Sequence, residues 1–252
     1  MDDILSSTIF IKRERNMMNK HRLNSPFFEI GPKNYLVGDQ VIDLARIADE
    51  ASVKFGINVI FTTPYADIRA VAQATQNLYI FAPHMDYAPI GRGLANVLPE
   101  SVRAAGAVGA MLNHSERPLE VSELCKTIVR ARELDMMTIV CADTIPEAKA
   151  VASAGPDMMV VEPVDLIGTG QACDFSYVKA SIEAVRSVDP EIGVLVGGGV
   201  AGGKDVYDIF MAGADATGSS SGIAKAKDPG AMVYEMLEAA RQAWDDREGR
   251  RA

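Results

Sequence analysis

The chain is poor in the residues that build metal centres and disulfides: three cysteines and three histidines in 252 residues. Cys125, Cys141 and Cys173 stand far apart, and no pair has the spacing of a redox motif or a metal-binding hook. They read as small buried side chains in a reducing compartment. His21, His84 and His114 are equally scattered and do not carry the spacing of a zinc centre. No apolar run approaches the ~20 residues that a membrane-spanning helix needs. A secretory signal is lacking too, because the first two dozen residues run acidic, then apolar, then basic, the reverse of its order. They read as an N-terminal extension over residues 1–25. Positive charge is short, with 25 Lys and Arg against 34 Asp and Glu. The net charge of −9 argues against nucleic acid or an anionic membrane as partner. Any attraction for an anionic substrate has to come from local positive features.

What is present is a repeated unit. From Phe27 onward a short apolar strand, a loop and an amphipathic helix recur every 20 to 35 residues or so, the interval of βα units. The predicted strands are 27–30, 57–62, 78–82, 108–112, 137–141, 158–161, 193–196 and 214–217. Several are apolar throughout, as parallel strands buried on both faces are. Between them, Val41, Leu44, Ala45 and Ala48 share one helical face. So do Val121, Leu124, Cys125 and Ile128, and, near the end, Met232, Met236, Ala240, Ala243 and Trp244. The methionine stripe reads as packing against a sheet rather than as a cofactor box. Eight such units in this length fit a closed (β/α)8 barrel of about 250 residues, here residues 26–252 as a single domain. An open doubly wound sheet is the alternative, but no Gly-x-Gly-x-x-Gly follows the first strand. The segment 85–100 has neither strand nor helix pattern and reads as a long functional or interfacial loop.

In such a barrel the chemistry gathers where the strands end at their C-terminal side. Lys33 follows the first strand, His114 and Glu116 the fourth, and Glu162 the sixth. A carboxyl at the end of an apolar strand, Met158-Met159-Val160-Val161, is a candidate general base, because burial raises its pKa towards the working pH. A stiff proline and then a glycine-rich end, Pro163 to Gly170, suit a lid. The runs 197–203 and 218–222, rich in glycine and serine, expose backbone N–H groups and read as an anion site for phosphate. Each feature alone also has an ordinary reading: a solvated Lys, a core His, a plain turn. Their convergence at one face is what points to a site.

The runs Asn113-His114-Ser115-Glu116-Arg117 and Glu162-Pro163-Val164-Asp165-Leu166-Ile167-Gly168-Thr169-Gly170 resemble the triosephosphate isomerase family, in its shorter archaeal-type branch. The resemblance extends from about Phe27 to Pro229, with weaker support from Leu98-Pro99-Glu100 and Cys141. It implies a TIM barrel and an aldose–ketose isomerase that interconverts glyceraldehyde 3-phosphate and dihydroxyacetone phosphate through an enediolate. Glu162 would be the base, and neutral His114 would polarise the carbonyl. Lys33 would supply positive charge, supported by Glu116. Val164, Asp165, Leu166, Ile167, Gly168 and Thr169 would close as the lid, and Gly170, Gly199, Ser220 and Ser221 would hold phosphate. The resemblance further implies no metal or organic cofactor, a cytoplasmic enzyme and a homodimer or homotetramer. Two positions depart from the family pattern. Gly31 stands where the family has Asn two residues before the lysine, and Leu94 where it has a threonine that reaches a neighbouring subunit. Two other functions stand beside the first: an isomerase of a four-carbon relative such as erythrulose phosphate, and a non-catalytic binder of phosphate ligands.

Overall fold

The computed structural model describes residues 25–249, so nearly all of the predicted N-terminal extension lies outside the described residues. Eight strands form: β1 Phe27–Ile30, β2 Asn58–Thr62, β3 Tyr79–Ala82, β4 Gly109–Leu112, β5 Met137–Ala142, β6 Met158–Val161, β7 Gly193–Val196 and β8 Ala216–Ser219. All pair in parallel in chain order, and β8 closes on β1, giving a (β/α)8 barrel. Between them run α1 Asp39–Phe55, α2 Ile68–Ala74, α3 Pro99–Ala105, α4 Val121–Glu133, α5 Ile145–Ala152, α6 Phe175–Arg186 and α7 Gly203–Met211. The short α8 Ser221–Ala224 and the long α9 Pro229–Arg247 follow β8. Asp174 caps α6 and Asp228 caps α9, each accepting a hydrogen bond from the backbone N–H three residues on, which satisfies one of the N–H groups a helix start leaves free.

Strand alternation splits the core in two. Phe27, Ile60, Phe81, Met111, Ile139, Met158, Val160, Leu195 and Ala216 form a compact inner cluster within the barrel. Their neighbours, including Phe28, Ile30, Phe61, Val140, Val161 and Val196, pack outward against the helices. This is why these strands are apolar on both faces. Gly109 belongs to the same packing, since a Cβ there would lie 2.4 Å from the Phe81 ring.

Three sequence expectations change. The last strand is Ala216–Ser219 rather than 214–217. Gly218 pairs with Glu29 of β1, and a Cβ at Gly218 would sit 2.7 Å from the Glu29 carbonyl oxygen; that close strand approach draws a glycine, which reads as loop, into the sheet. The buried face of α4 is Leu124, Thr127, Ile128 and Ala131, while Val121 and Cys125 are exposed. The buried face is therefore rotated about the helix axis from the Val121–Leu124–Cys125 stripe, and Thr127 satisfies its buried hydroxyl by donating to the Glu123 carbonyl at 2.9 Å. Cys125 is thus not a buried residue; Cys141 is, and Cys173 is half-buried.

Candidate active site

The inward series of each strand continues past the apolar layer into a layer of different chemistry. Phe27 leads to Glu29, Ile60 to Thr62, Ile139 to Cys141, Val160 to Glu162, Leu195 to Gly197 and Ala216 to Gly218. All the second members line one cavity of about 740 Å³ at the C-terminal mouth of the barrel. The glycines make the room: a Cβ at Gly197 would stand 2.9 Å from Glu162 Oε2, and one at Gly218 2.9 Å from Glu29 Cβ.

After β4 the alternation breaks. Asn113 has φ of 56°, a left-handed conformation that costs a non-glycine residue and has to be held by its surroundings. Its amide holds it there, donating to the Cys141 carbonyl at 3.0 Å and to Glu147 at 3.2 Å, while its oxygen accepts from Leu119 N–H at 3.0 Å. With Asn113 so anchored, the next residue, His114, lines the cavity. Lys33, also with positive φ at 48°, lines the cavity and donates to Glu116 Oε1 at 3.0 Å.

The electrostatics separate the roles. His114 Nδ1 accepts the Glu116 backbone N–H at 3.1 Å, so the neutral ring carries its proton on Nε2. Burial, and then the charge of Lys33, push its pKa below the ordinary value, against the pull of Glu116. Nε2 points across the cavity to Glu162 Oε1, 3.9 Å away. The Glu162 carboxyl is raised by burial, with Lys33 opposing and Asp143 and Glu116 adding to the rise. Glu116 moves the other way. Burial acts to raise it, but the hydrogen bond and charge of Lys33, with His114, hold it below the usual carboxylate value. A raised carboxyl, a neutral imidazole with an N–H donor and a paired ammonium therefore face one space, an arrangement suited to moving a proton next to a carbonyl.

Of the predicted residues, Lys33, His114, Glu116, Glu162, Ile167, Gly168, Gly199, Ser220 and Ser221 all line this cavity. Val164, Asp165, Leu166, Thr169 and Gly170 do not line it. The segment after Glu162 forms a 3-10 turn over Val164–Leu166 and then passes over the glycine run. A Cβ at Gly199 would lie 2.0 Å from the Gln171 carbonyl oxygen, and Gly199 has φ of 71°. Only glycine lets the two segments approach so closely. Gly170, with φ of 73°, immediately precedes that crossing. Ser220, another lining residue, has its Oγ buried with no hydrogen-bond partner among the described residues.

Sequence reading missed Glu29, Thr62, Tyr65, His84 and Arg117, all of which line the cavity. His84 Nε2 pairs with Asp86 at 3.0 Å, and Asp86 also accepts Val97 N–H at 2.6 Å, tying the base of the 85–98 loop to the mouth. Glu29 had a visible signal, a charge at an inward position of an otherwise apolar strand. At the departing positions, a Cβ on Gly31 would lie 2.8 Å from Glu29 Oε1, and Leu94 is fully exposed at the loop tip. Among the described residues no helix is long and apolar enough to cross a membrane.

A family model described as triosephosphate isomerase matches residues 33–236. Similar proteins include the triosephosphate isomerases of Methanobacterium bryantii, 32% identical over 84% of this chain and 96% of that protein, and of Methanosarcina mazei, 32% identical over 85% and 99%. Among solved structures, the triosephosphate isomerase of Bartonella henselae matches with a TM-score of 0.70 at 12% identity, covering 87% of this chain and 99% of that one. That last likeness bears on the fold alone.

Proposed function

The chain belongs to the triosephosphate isomerase family, and from that premise we propose that it interconverts glyceraldehyde 3-phosphate and dihydroxyacetone phosphate. The observation that carries the reading is the pair Glu162 and His114, 3.9 Å apart in one cavity, with the carboxyl raised by burial and the imidazole held neutral. In its ionised form Glu162 takes the proton from the carbon beside the carbonyl, leaving an enediolate, and returns it to the other carbon. The His114 Nε2–H donates to the oxygen on which negative charge develops and moves the hydroxyl proton between the two oxygens. A neutral donor suits this better than an imidazolium, which would release its proton outright. Lys33 adds positive charge near the developing anion, and Glu116 fixes both partners, by its carboxylate and by its backbone N–H. Electrostatic stabilisation of this kind is commonly the largest contribution to such a barrier.

The phosphate would rest against the backbone N–H groups of Gly199, Ser220 and Ser221, with Gly170 contributing once the segment 164–169 closes. Closure would keep the enediolate from water, which otherwise favours loss of phosphate. The names of the relatives favour a three-carbon over a four-carbon substrate. The exposed apolar residues Tyr87, Ile90 and Leu94 of the 85–98 loop support a homo-oligomer built through that loop.

The test is isomerisation of the triose phosphates, together with incorporation of solvent deuterium at the carbon beside the carbonyl. Glu162→Gln should lower kcat by a factor on the order of 10² to 10⁴ and abolish the exchange. A wild-type protein that exchanges no faster than the variant overturns the reading.

A further inference from the structure

The proposed mechanism leaves one buried group of the cavity without a task. Glu29 is 9% exposed, and its Oε1 accepts a 2.5 Å hydrogen bond from Thr62 Oγ1. Oε2 makes no hydrogen bond among the described residues, yet it is not sealed from solvent. Among the described residues the carboxyl has no ion pair, and Lys33, whose charge reaches it, is paired with Glu116. Burying a carboxyl with a single hydroxyl partner is unfavourable, and an apolar side chain at this inward position would complete the barrel core at less cost. The surroundings are cleared for it: a Cβ at Gly31 would lie 2.8 Å from Oε1, and one at Gly218 3.1 Å from Oε2. The loop just beyond β1 and the neighbouring strand β8 therefore both carry glycine beside this carboxyl, which lines the cavity.

We propose that Glu29 contacts the substrate: Thr62 fixes it through Oε1, and its neutral carboxyl donates a hydrogen bond from Oε2 to an oxygen of the bound triose phosphate. The role rests on the isomerase reading above and adds to it a protonated acid that binds but neither removes nor returns the carbon-bound proton. It also explains why the ionised form would be harmful, since the substrate and the enediolate are anions and Glu162 has to be charged across the same space to act as the base.

The sign of the pH effect follows. Burial raises the Glu29 carboxyl to about 7, with Thr62 opposing, Glu162 adding to the rise and Lys33 opposing. Below that value the donor is present; above it the donor is lost and a repelling charge appears. Glu162 beyond β6, Lys33 beyond β1 and Thr62 of β2 act on it directly, the Cys141 thiol of β5 is coupled to it, and His114 and Glu116 beyond β4 line the same cavity, while β8 presents Gly218. Glu162 acts in the opposite sense, gaining activity as it ionises. The His114 pKa is lowered and the Cys141 thiol is raised well above its ordinary value, so neither produces a loss of activity on the alkaline side near 7.

The experiment is kcat/KM against pH for wild type and Glu29→Gln, with circular dichroism to confirm folding. Gln can accept from Thr62 and donate into the cavity but cannot ionise. The ratio of variant to wild type should rise about tenfold per pH unit above 7, and titration of the substrate phosphate cancels in that ratio. A variant profile that superimposes on the wild type, or a loss equal at every pH, overturns the inference. A wild type inactive at every pH overturns the isomerase reading instead. A second measurement needs no folded variant: the carboxyl 13C signal of Glu29 in the wild type, titrated with and without dihydroxyacetone phosphate. Contact raises its midpoint; a midpoint that ligand leaves unmoved overturns the contact.

Discussion

At the scale of single residues, the site separates three carboxyls by their surroundings. Glu116 is held below the usual carboxylate value by Lys33, Glu162 is raised by burial, and Glu29 is raised to about 7 by burial, with the Thr62 hydrogen bond and the charge of Lys33 against it. Glu29 also has a consequence for stability. An unfolded glutamate ionises near 4.5, so between that pH and about 7 the folded chain binds more protons than the unfolded one. Stability contributed by this neutral carboxyl is present at low pH and falls as pH rises through that window, by on the order of 3 kcal/mol. Glu29→Gln should remove the fall. Measured by urea unfolding, the variant gains on wild type between pH 5 and 8, and a constant difference across that range would show that Glu29 is not neutral when folded.

At the scale of elements, the crossing of the segment after Glu162 over the glycine run after β7 is the tightest contact at the mouth. Gly199→Ala meets both a φ of 71° and the Gln171 carbonyl oxygen at 2.0 Å. Strain of about 1–3 kcal/mol then displaces one segment or the other. The expected result is a loss in kcat/KM on the order of tenfold or more, carried mainly by KM for the phosphorylated substrate, with little change in far-UV circular dichroism. Unchanged kinetics would mean that this crossing does not shape the phosphate site. The same crossing shows why the lid was legible only in part. Pro163 and the glycines mark a strand–loop boundary locally, whereas which loop residues face inward depends on the partner segment some thirty residues later. In α4, likewise, the stripe through Val121 and Cys125 satisfied helical spacing, and only packing on β5 decided which side of the helix was buried.

At the scale of the whole molecule, the 85–98 loop carries Tyr87, Ile90 and Leu94 exposed by 50%, 74% and 107%. Large apolar side chains clustered at one loop tip suit a covered surface rather than a solvated one. If that loop builds the oligomer, Ile90→Asp with Leu94→Asp should reduce the mass found by light scattering to that of one chain. An unchanged mass would place the subunit contact elsewhere. The unit pattern, eight apolar strands alternating with helices, already favoured the closed barrel over an open sheet, because eight such units in this length suit a (β/α)8 barrel; the pairing of β8 with β1 closes it. The pattern also placed Lys33, His114 and Glu162 at strand ends, since a strand end is a local property of the chain. What only the tertiary structure decided was the second inward layer: that Glu29 joins Glu162 in one cavity, that Gly31, Gly197 and Gly218 stand back for them, and that Asn113 turns His114 inward. These follow from which strands become neighbours and how far each rises around the barrel, and such distances between remote segments are not written in the order of residues along any one of them.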